Sequence, residues 1–454
     1  MEQNGRILVG GSEDEVDYPP NDYIYLCRDV GFVVFGVVTL LLDWGLDMAT
    51  AYNHWHHEDL AWFILTVVFM SVSSLVMMGV SLYWYIKDTA NEAVLGEAAP
   101  RVSRCKWVVR LTLLLCQLGP LQRYYDTLRY GWKSRKYWKR GDTQKQRQYY
   151  TWMLYEDGDS VFLRMFECFM ESAPQLVLQL YILTQISEAE DPSKYGKIWR
   201  YTISFGSVTS LVSLAWGVMA FARGTRFTAL EKDNISLLGS FVIFLWHLFC
   251  LGARVSALVV FASVFRLMVV WVCLGHWLLM VVCLLGRRSF RASGASLLCE
   301  VVYCLLFGAI YVFVFLNDKD EPTRWKYTAY YTVWEMENLA LVVLFLLYGD
   351  PAVLYYIPGS KANATEMSTE ATRTIVCAPI FTLTDSRNFL FPAVIFHAMT
   401  FGLGLAMMGI YYSLLHPSRC PPPSLPLPRH HQGGTTPPPP HPDTNPLNAL
   451  QTEL

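Results

Sequence analysis

Arg164-Met165-Phe166-Glu167-Cys168-Phe169-Met170-Glu171-Ser172-Ala173-Pro174-Gln175-Leu176-Val177-Leu178-Gln179-Leu180-Tyr181 opens a long apolar segment, yet it carries one cation, two carboxylates and two amides. On a helix Glu167 and Glu171 are four apart and Arg164 lies one turn before Glu167, so all three share a face. The other faces read Phe, Met, Val, Leu and Tyr. A helix in water would turn its charges outward. With apolar residues on every other side, lipid is the better match for the solvent. Ionisable groups at membrane depth are costly, so they turn inward, pair, and mark a pathway.

The rest of the chain agrees. Of its 454 residues 53% are hydrophobic and only 16% charged, below the rough quarter of a soluble domain. Apolar runs of about twenty residues recur, which makes this an all-α polytopic membrane protein. Net charge is −2, so overall charge selects no partner, and the distribution of charge is the useful signal. No short apolar core leads the N-terminus, so no cleavable signal peptide is expected. The 11 cysteines lie mostly within apolar runs and show no spacing of a zinc site or a disulfide framework.

Residues 1–22 are polar and read as a disordered cytosolic N-terminus. They hold Asp14-Glu15-Val16-Asp17, the tetrapeptide type that executioner caspases cut after the last Asp, here followed by Tyr18. The plainer reading is an acidic tail. The first span, about 24 to 50, contains Asp29, Asp43 and Asp47, the last two on one helix face. The loop 53–59 has His54, His56 and His57 with few carboxylates. It reads as a solvated interfacial loop rather than a metal site. A second span covers about 60 to 86, with Trp62 at one end and Tyr83, Trp84 and Tyr85 at the other as interface anchors.

A short apolar run, 107–119, lies between Lys87, Arg101, Arg104 and Lys106 on one side and the most basic region on the other. Nine Lys or Arg fall between Arg123 and Arg147, against Asp126 and Asp142. Positive loops stay in the cytoplasm, so both flanks are inside and the run should not cross: it reads as a re-entrant or interfacial helix, ended by Gly119-Pro120. The basic region fits topology determination and contact with anionic headgroups. Nucleic-acid binding does not suit a loop among so many spans.

The motif segment then crosses at about 160 to 185, and a span at about 200 to 222 returns to Arg223 and Arg226. The apolar stretch 237–285 is too long for one crossing and should break near 262–266. Segments follow at about 296–316, 328–348 and 389–415. Each half has five, and Glu171 to Leu178 can be laid over Glu337 to Leu344, Pro174 having no counterpart. The expected plan is eight transmembrane helices plus two re-entrant ones in two pseudo-symmetric halves, 23–226 and 227–416, the working site lying between repeats. Both termini are then cytoplasmic and the loop 350–388 is outside. There Asn363-Ala364-Thr365 is a glycosylation candidate, whereas Asn234-Ile235-Ser236 faces inward and should be idle. The Pro-rich tail 417–454 reads as disordered and cytosolic. Its end, Thr452-Glu453-Leu454, fits a PDZ ligand.

Glu171-Ser172-Ala173-Pro174-Gln175-Leu176, with Glu167 upstream, resembles the hallmark of the XK-related family, which includes the Kell-associated XK membrane protein and caspase-activated phospholipid scramblases. The likeness covers about 23 to 416 and includes the Asp43–Asp47 pair, the basic region and Arg254. It implies the same plan of eight spanning and two dipping helices. It also implies exchange of phospholipids between leaflets and exposure of phosphatidylserine at the plasma membrane of dying cells, after caspase cleavage. Other members lack established scrambling or act with partners, so a single-span accessory subunit or a homodimer is part of the expectation. Carried over by position, Asp29, Asp43 and Asp47 fit the acids of the first helix. Arg164, Glu167 and Glu171 fit the motif helix, and Arg223 and Arg254 the basic positions facing them. The Asp14–Asp17 arrangement is similar to the nematode member's; in the best-known mammalian scramblase the site lies in the C-terminal tail.

These eight charges therefore read as a headgroup track that stands in for water, running without an energy source. No cofactor, no metal and no enzymatic chemistry is expected, and no P-loop pattern is visible. The competing reading of each charge is a structural pair that keeps helices in register. A rival for the whole protein is a membrane scaffold that docks lipid-transfer or PDZ partners without scrambling. A small-solute transporter is weaker.

Overall fold

Lipid offers no hydrogen bonds to an open backbone, so apolar runs of this length fold as helices. The computed structural model describes residues 24–95, 104–116, 118–187, 196–228, 235–287, 297–316, 324–348 and 386–416. In chain order the helices are α1 (Cys27–His56), α2 (Leu60–Leu95), α3 (Arg104–Leu115), α4 (Gly119–Trp138), α5 (Thr143–Glu167), a π turn (Cys168–Ser172), α6 (Ala173–Ser187) and α7 (Lys197–Thr228). Then come α8 (Leu237–Phe265), α9 (Met268–Arg287), α10 (Leu297–Tyr311), α11 (Arg324–Tyr348) and α12 (Ser386–Ile410), which ends in a second π turn (Tyr411–Leu415). The regions 1–22 and 417–454, Asp14 to Asp17, Asn363, Thr452 and Leu454 lie outside the described residues.

Among the described residues, seven helices are long and apolar enough to cross a membrane: α1, α2, α7, α8, α9, α11 and α12. The chain is an all-α polytopic membrane protein. The motif helix, α5 through α6, is long enough for the eighth expected crossing, though it is not among these seven. Two helices are short: α3 with 12 residues and α10 with 15. At about 1.5 Å per residue neither covers the roughly 30 Å of hydrocarbon, as dipping segments require. The break expected near 262–266 falls at Arg266, whose φ of +48° turns the chain between α8 and α9.

The solvent of these helices shows in what they expose. On α1 the outward residues include Val34, Val38, Leu41 and Leu42, while Thr39, Asp43, Asp47, Thr50 and His54 are buried. Burial of polar atoms behind an apolar surface inverts the pattern of a protein in water. The main core joins Phe166 and Phe169 of the motif helix to Leu214 of α7, Trp246 and Leu258 of α8, Phe307 of α10 and Trp334 of α11. Where lipid gives helices no hydrophobic drive to associate, close packing decides. At Gly404 a Cβ would lie 2.6 Å from Cys250 Sγ, so α12 reaches α8 only because that side chain is missing.

Two local expectations change. α1 runs on to His56, so His54 is not in a solvated loop but fully buried. Gly119-Pro120 does not only end a segment: Pro120 sits in the first turn of α4, where its missing N–H costs nothing.

Candidate functional site

The π turn is the local feature that shapes the site. Pro174 has no N–H, and its ring would clash with the carbonyl four residues earlier. The helix answers by widening upstream: the Ala173 N–H reaches back to the Cys168 carbonyl, one residue further than in an α-helix. Such single π turns recur at functional sites. This one carries Glu171 and Ser172.

Around it the motif helix, α1, α2 and α7 enclose a column of polar side chains. At one end Arg223 Nη2 donates to Asp29 Oδ1 at 2.9 Å, its guanidinium lying 3.8 Å from the Phe32 ring centre. Asp157, just before the crossing segment, is close by. Burial pushes its carboxyl up to about 6, with Arg223 opposing and Asp29 reinforcing the shift. Beside it burial also raises Glu156, which Arg123 opposes.

One level on, Asp43 accepts from Ser172 Oγ at 2.5 Å, from Ser210 Oγ at 2.9 Å and from Arg164 Nη2 at 3.4 Å. Arg164 also bonds Ser213 and pairs with Glu167. Asp47 and Glu171 lie next along the column, within electrostatic reach of each other, with Glu171 beside Ser73 of α2. Then Gln179 Nε2 donates to Gln175 Oε1 at 3.2 Å and to Thr66 Oγ1 at 3.4 Å, and Gln179 Oε1 lies 3.2 Å from His54 Nε2. His54 is flanked by the rings of Trp62 and Trp199. From Asp157 to Gln179 is about 33 Å of helix at 1.5 Å per residue, about the thickness of the hydrocarbon core.

The column is sealed and unevenly charged. Asp43, Asp47, Glu167 and Glu171 are each 3–7% exposed, and within this level they share the single guanidinium of Arg164. Buried atoms along it without a hydrogen-bond partner among the described residues include Glu167 Oε2, Gln175 Nε2 and His54 Nδ1. Each such group costs on the order of 1–3 kcal/mol.

The site residues read from the sequence thus divide. Asp29 and Arg223 form one end; Asp43, Asp47, Arg164, Glu167 and Glu171 come together in the middle. Arg254 is not with them. It donates to Val312 O at 3.0 Å, to Asn338 Oδ1 at 2.7 Å and to Glu337 Oε1 at 3.0 Å, so α11 and the turn after α10 hold it in the second half. His276 Nδ1 lies 2.5 Å from Glu337 Oε2. A third cluster ties the dipping hairpin down: Lys106 pairs with Asp126 at 2.8 Å, and Arg123 pairs with Glu156 and Asp159. Sequence reasoning missed Ser210, Ser213, His54 and the partners of Arg254. Ser210 and Ser213, three apart inside an apolar run, were the available signal for α7. Among the described residues no three His, Cys, Asp or Glu side chains gather as metal ligands.

The model of the XK-related family, described as XK-related protein, matches residues 31–417. The chain belongs to the XK-related family. It is 27% identical over 414 residues to Cell death abnormality protein 8 of Caenorhabditis briggsae, covering 89% of this chain and 81% of that one. It is 26% identical over 409 residues to XK-related protein 8 of Gasterosteus aculeatus, covering 88% and 87%. The match begins within α1, just after Asp29, and takes in the rest of the column through α7.

Proposed function

We propose that this XK-related protein is a phospholipid scramblase of the plasma membrane that exposes phosphatidylserine in dying cells, with both termini in the cytoplasm. The observation that carries the reading is the polar column: a membrane-deep row of side chains, rich in acid, with unfilled hydrogen-bond positions at Glu167, Gln175 and His54. A headgroup needs polar partners on its way through hydrocarbon, while its acyl chains stay in lipid. The surplus of carboxylates over Arg164 suits the ammonium of serine, ethanolamine and choline headgroups. The amides at Gln175 and Gln179 suit phosphate and glycerol oxygens. No energy source is needed, because lipids exchange in both directions and only the net flux follows the gradient.

The column is closed, so passage requires the seam between α1, α2 and the motif helix to part. Cleavage after Asp17 is the proposed trigger: it removes residues 1–17, leaving residues 18–26 ahead of α1, whose Asp29 is latched to Arg223. The relationship to a protein named for cell death abnormality supports the setting of dying cells. The test is flipping of fluorescent lipids by the purified chain in liposomes, with no partner present. Flipping there supports the proposal. Its absence, even after residues 1–17 are removed, favours a scaffold that docks lipid-transfer or PDZ partners.

A further inference from the structure

The exposed face of α4 fits a different lipid role from the column. Its buried side carries Arg123, Asp126, Thr127, Tyr130 and Ser134. Its exposed side carries Tyr125 (59% exposed) and Trp132 (70%). Arg129 and Lys136 are exposed as well. The four are spaced i, i+4, i+7 and i+11, which on a helix is one stripe. A helix that hides its acid and displays Tyr and Trp is not solvated by water on that side. Aromatic rings interleaved with Lys and Arg are the signature of a helix lying at a headgroup boundary.

The packing sets the depth. Tyr124 lies against Gly36 of α1, and Gly131 sits on the ring of Tyr25, two residues before α1 begins; a Cβ at Gly131 would come within 2.4 Å of that ring. Tyr125 is therefore about two and a half turns inside α1, and Trp132, about 10 Å further along, is level with its end. Arg129 falls between them. It has no ion-pair partner among the described residues. The sole acid of α4, Asp126, is turned inward onto Lys106 and Gln122, so nothing on the exposed stripe competes with a lipid phosphate. Arg135, Lys139 and Arg140 extend the positive charge beyond Trp132.

The geometry points to a docking site for anionic headgroups of the cytoplasmic leaflet on the Tyr125–Arg129–Trp132–Lys136 stripe. The occupant follows from the charge: the stripe carries cations only, and Trp132, level with the end of α1, stands between Arg129 and Lys136 as the boundary anchor. Its role would be to concentrate anionic lipid beside the cytoplasmic end of the column, and it does not depend on whether the chain scrambles.

The test uses the full chain in nanodiscs that contain either brominated phosphatidylserine or brominated phosphatidylcholine at equal mole fraction. Subtracting the fluorescence of Trp132→Phe isolates the signal of Trp132. Phosphatidylserine is expected to quench it about two- to fivefold more effectively, and the excess should fade as salt rises. Arg129→Gln combined with Lys136→Gln should abolish the excess while quenching by phosphatidylcholine persists. Equal quenching by both lipids would overturn the proposal. So would a preference that survives in the double variant, or a Trp132 that neither lipid reaches because protein covers it. Flipping is not read in this experiment, so its outcome is separate from that of the scramblase assay.

Discussion

Ser172 donates its hydroxyl to Asp43 Oδ2 across 2.5 Å, joining the π turn of the motif helix to α1. The second half has a matching joint. In the overlay of the two motif segments Asn338 takes the place of Ser172, and it accepts from Arg254, on the opening helix of that half, at 2.7 Å. Glu171 beside Ser73 of α2 is likewise matched by Glu337 against His276 of α9. The two joints have opposite polarity: an acid on α1, a guanidinium on α8. Ser172→Ala should therefore lower stability by about 1.5–3 kcal/mol, the range for a hydrogen bond to a charged group. Asp43→Asn should cost about 1.5–3 kcal/mol, because it weakens the hydrogen bonds from Ser172 and Ser210, while Arg164 keeps Glu167 and Ser213. Adding Arg164→Gln should cost less than the sum of the two single changes. Thermal unfolding in detergent measures all three.

Arg254 reaches three acceptors on two elements with its planar fork. Lysine carries one compact charge and cannot reproduce that geometry. Arg254→Lys and Arg254→Gln should both lower the unfolding temperature, glutamine by about 3–5 kcal/mol since it leaves Glu337 short of a partner. If lysine restores wild-type stability, charge rather than geometry fixes this joint.

Asp157 gives a pH dependence whose sign is set by burial. Its folded carboxyl titrates at about 6, above its ordinary value. The contribution is full below the unfolded value, near 4, and is lost as pH rises through 6. A shift of about two units corresponds to at most about 3 kcal/mol, less for a side chain that water partly reaches. Asp157→Asn should leave stability near pH 4 little changed and raise it at pH 7 to 8. The difference between variant and wild type, followed across that window by thermal unfolding, should grow with pH.

The activation step is tested in cells. With Asp17→Ala the executioner caspase should no longer shorten the chain, and annexin staining of apoptotic cells should fall to the level of cells lacking the protein. Unchanged staining would mean that the switch lies elsewhere.

The helical membrane fold was legible because apolar run length and the placement of Lys and Arg are one-dimensional signals. So was the middle of the column: Asp43 with Asp47, and Arg164 with Glu167 and Glu171, sit at helical spacings that sequence displays directly. The partner of Arg254 was not legible. It depends on which helix faces α8, and the nearest acids by analogy were those of the first half, whereas Glu337 and Asn338 of α11 are the residues in contact. The burial of His54 was hidden because α1 continues one turn past the apolar run, so a histidine that looked solvated caps the column against Gln179. The π turn follows from Pro174, yet whether a proline kinks, breaks or widens a helix depends on the packing around it.

The central claim is that headgroups travel along the column, and lipid flipping by purified variants tests it most directly. Glu171→Leu removes one surplus carboxylate and Gln179→Leu removes the polar end, both in chains first truncated after Asp17. The account predicts that each remains folded, Glu171→Leu with stability equal to or above that of the parent. It also predicts that each slows flipping by about tenfold or more, one such step for every 1.4 kcal/mol added to the barrier. Folded variants that flip lipid at the rate of the parent would contradict it, and would leave the buried charges as joints that only hold the helices in place.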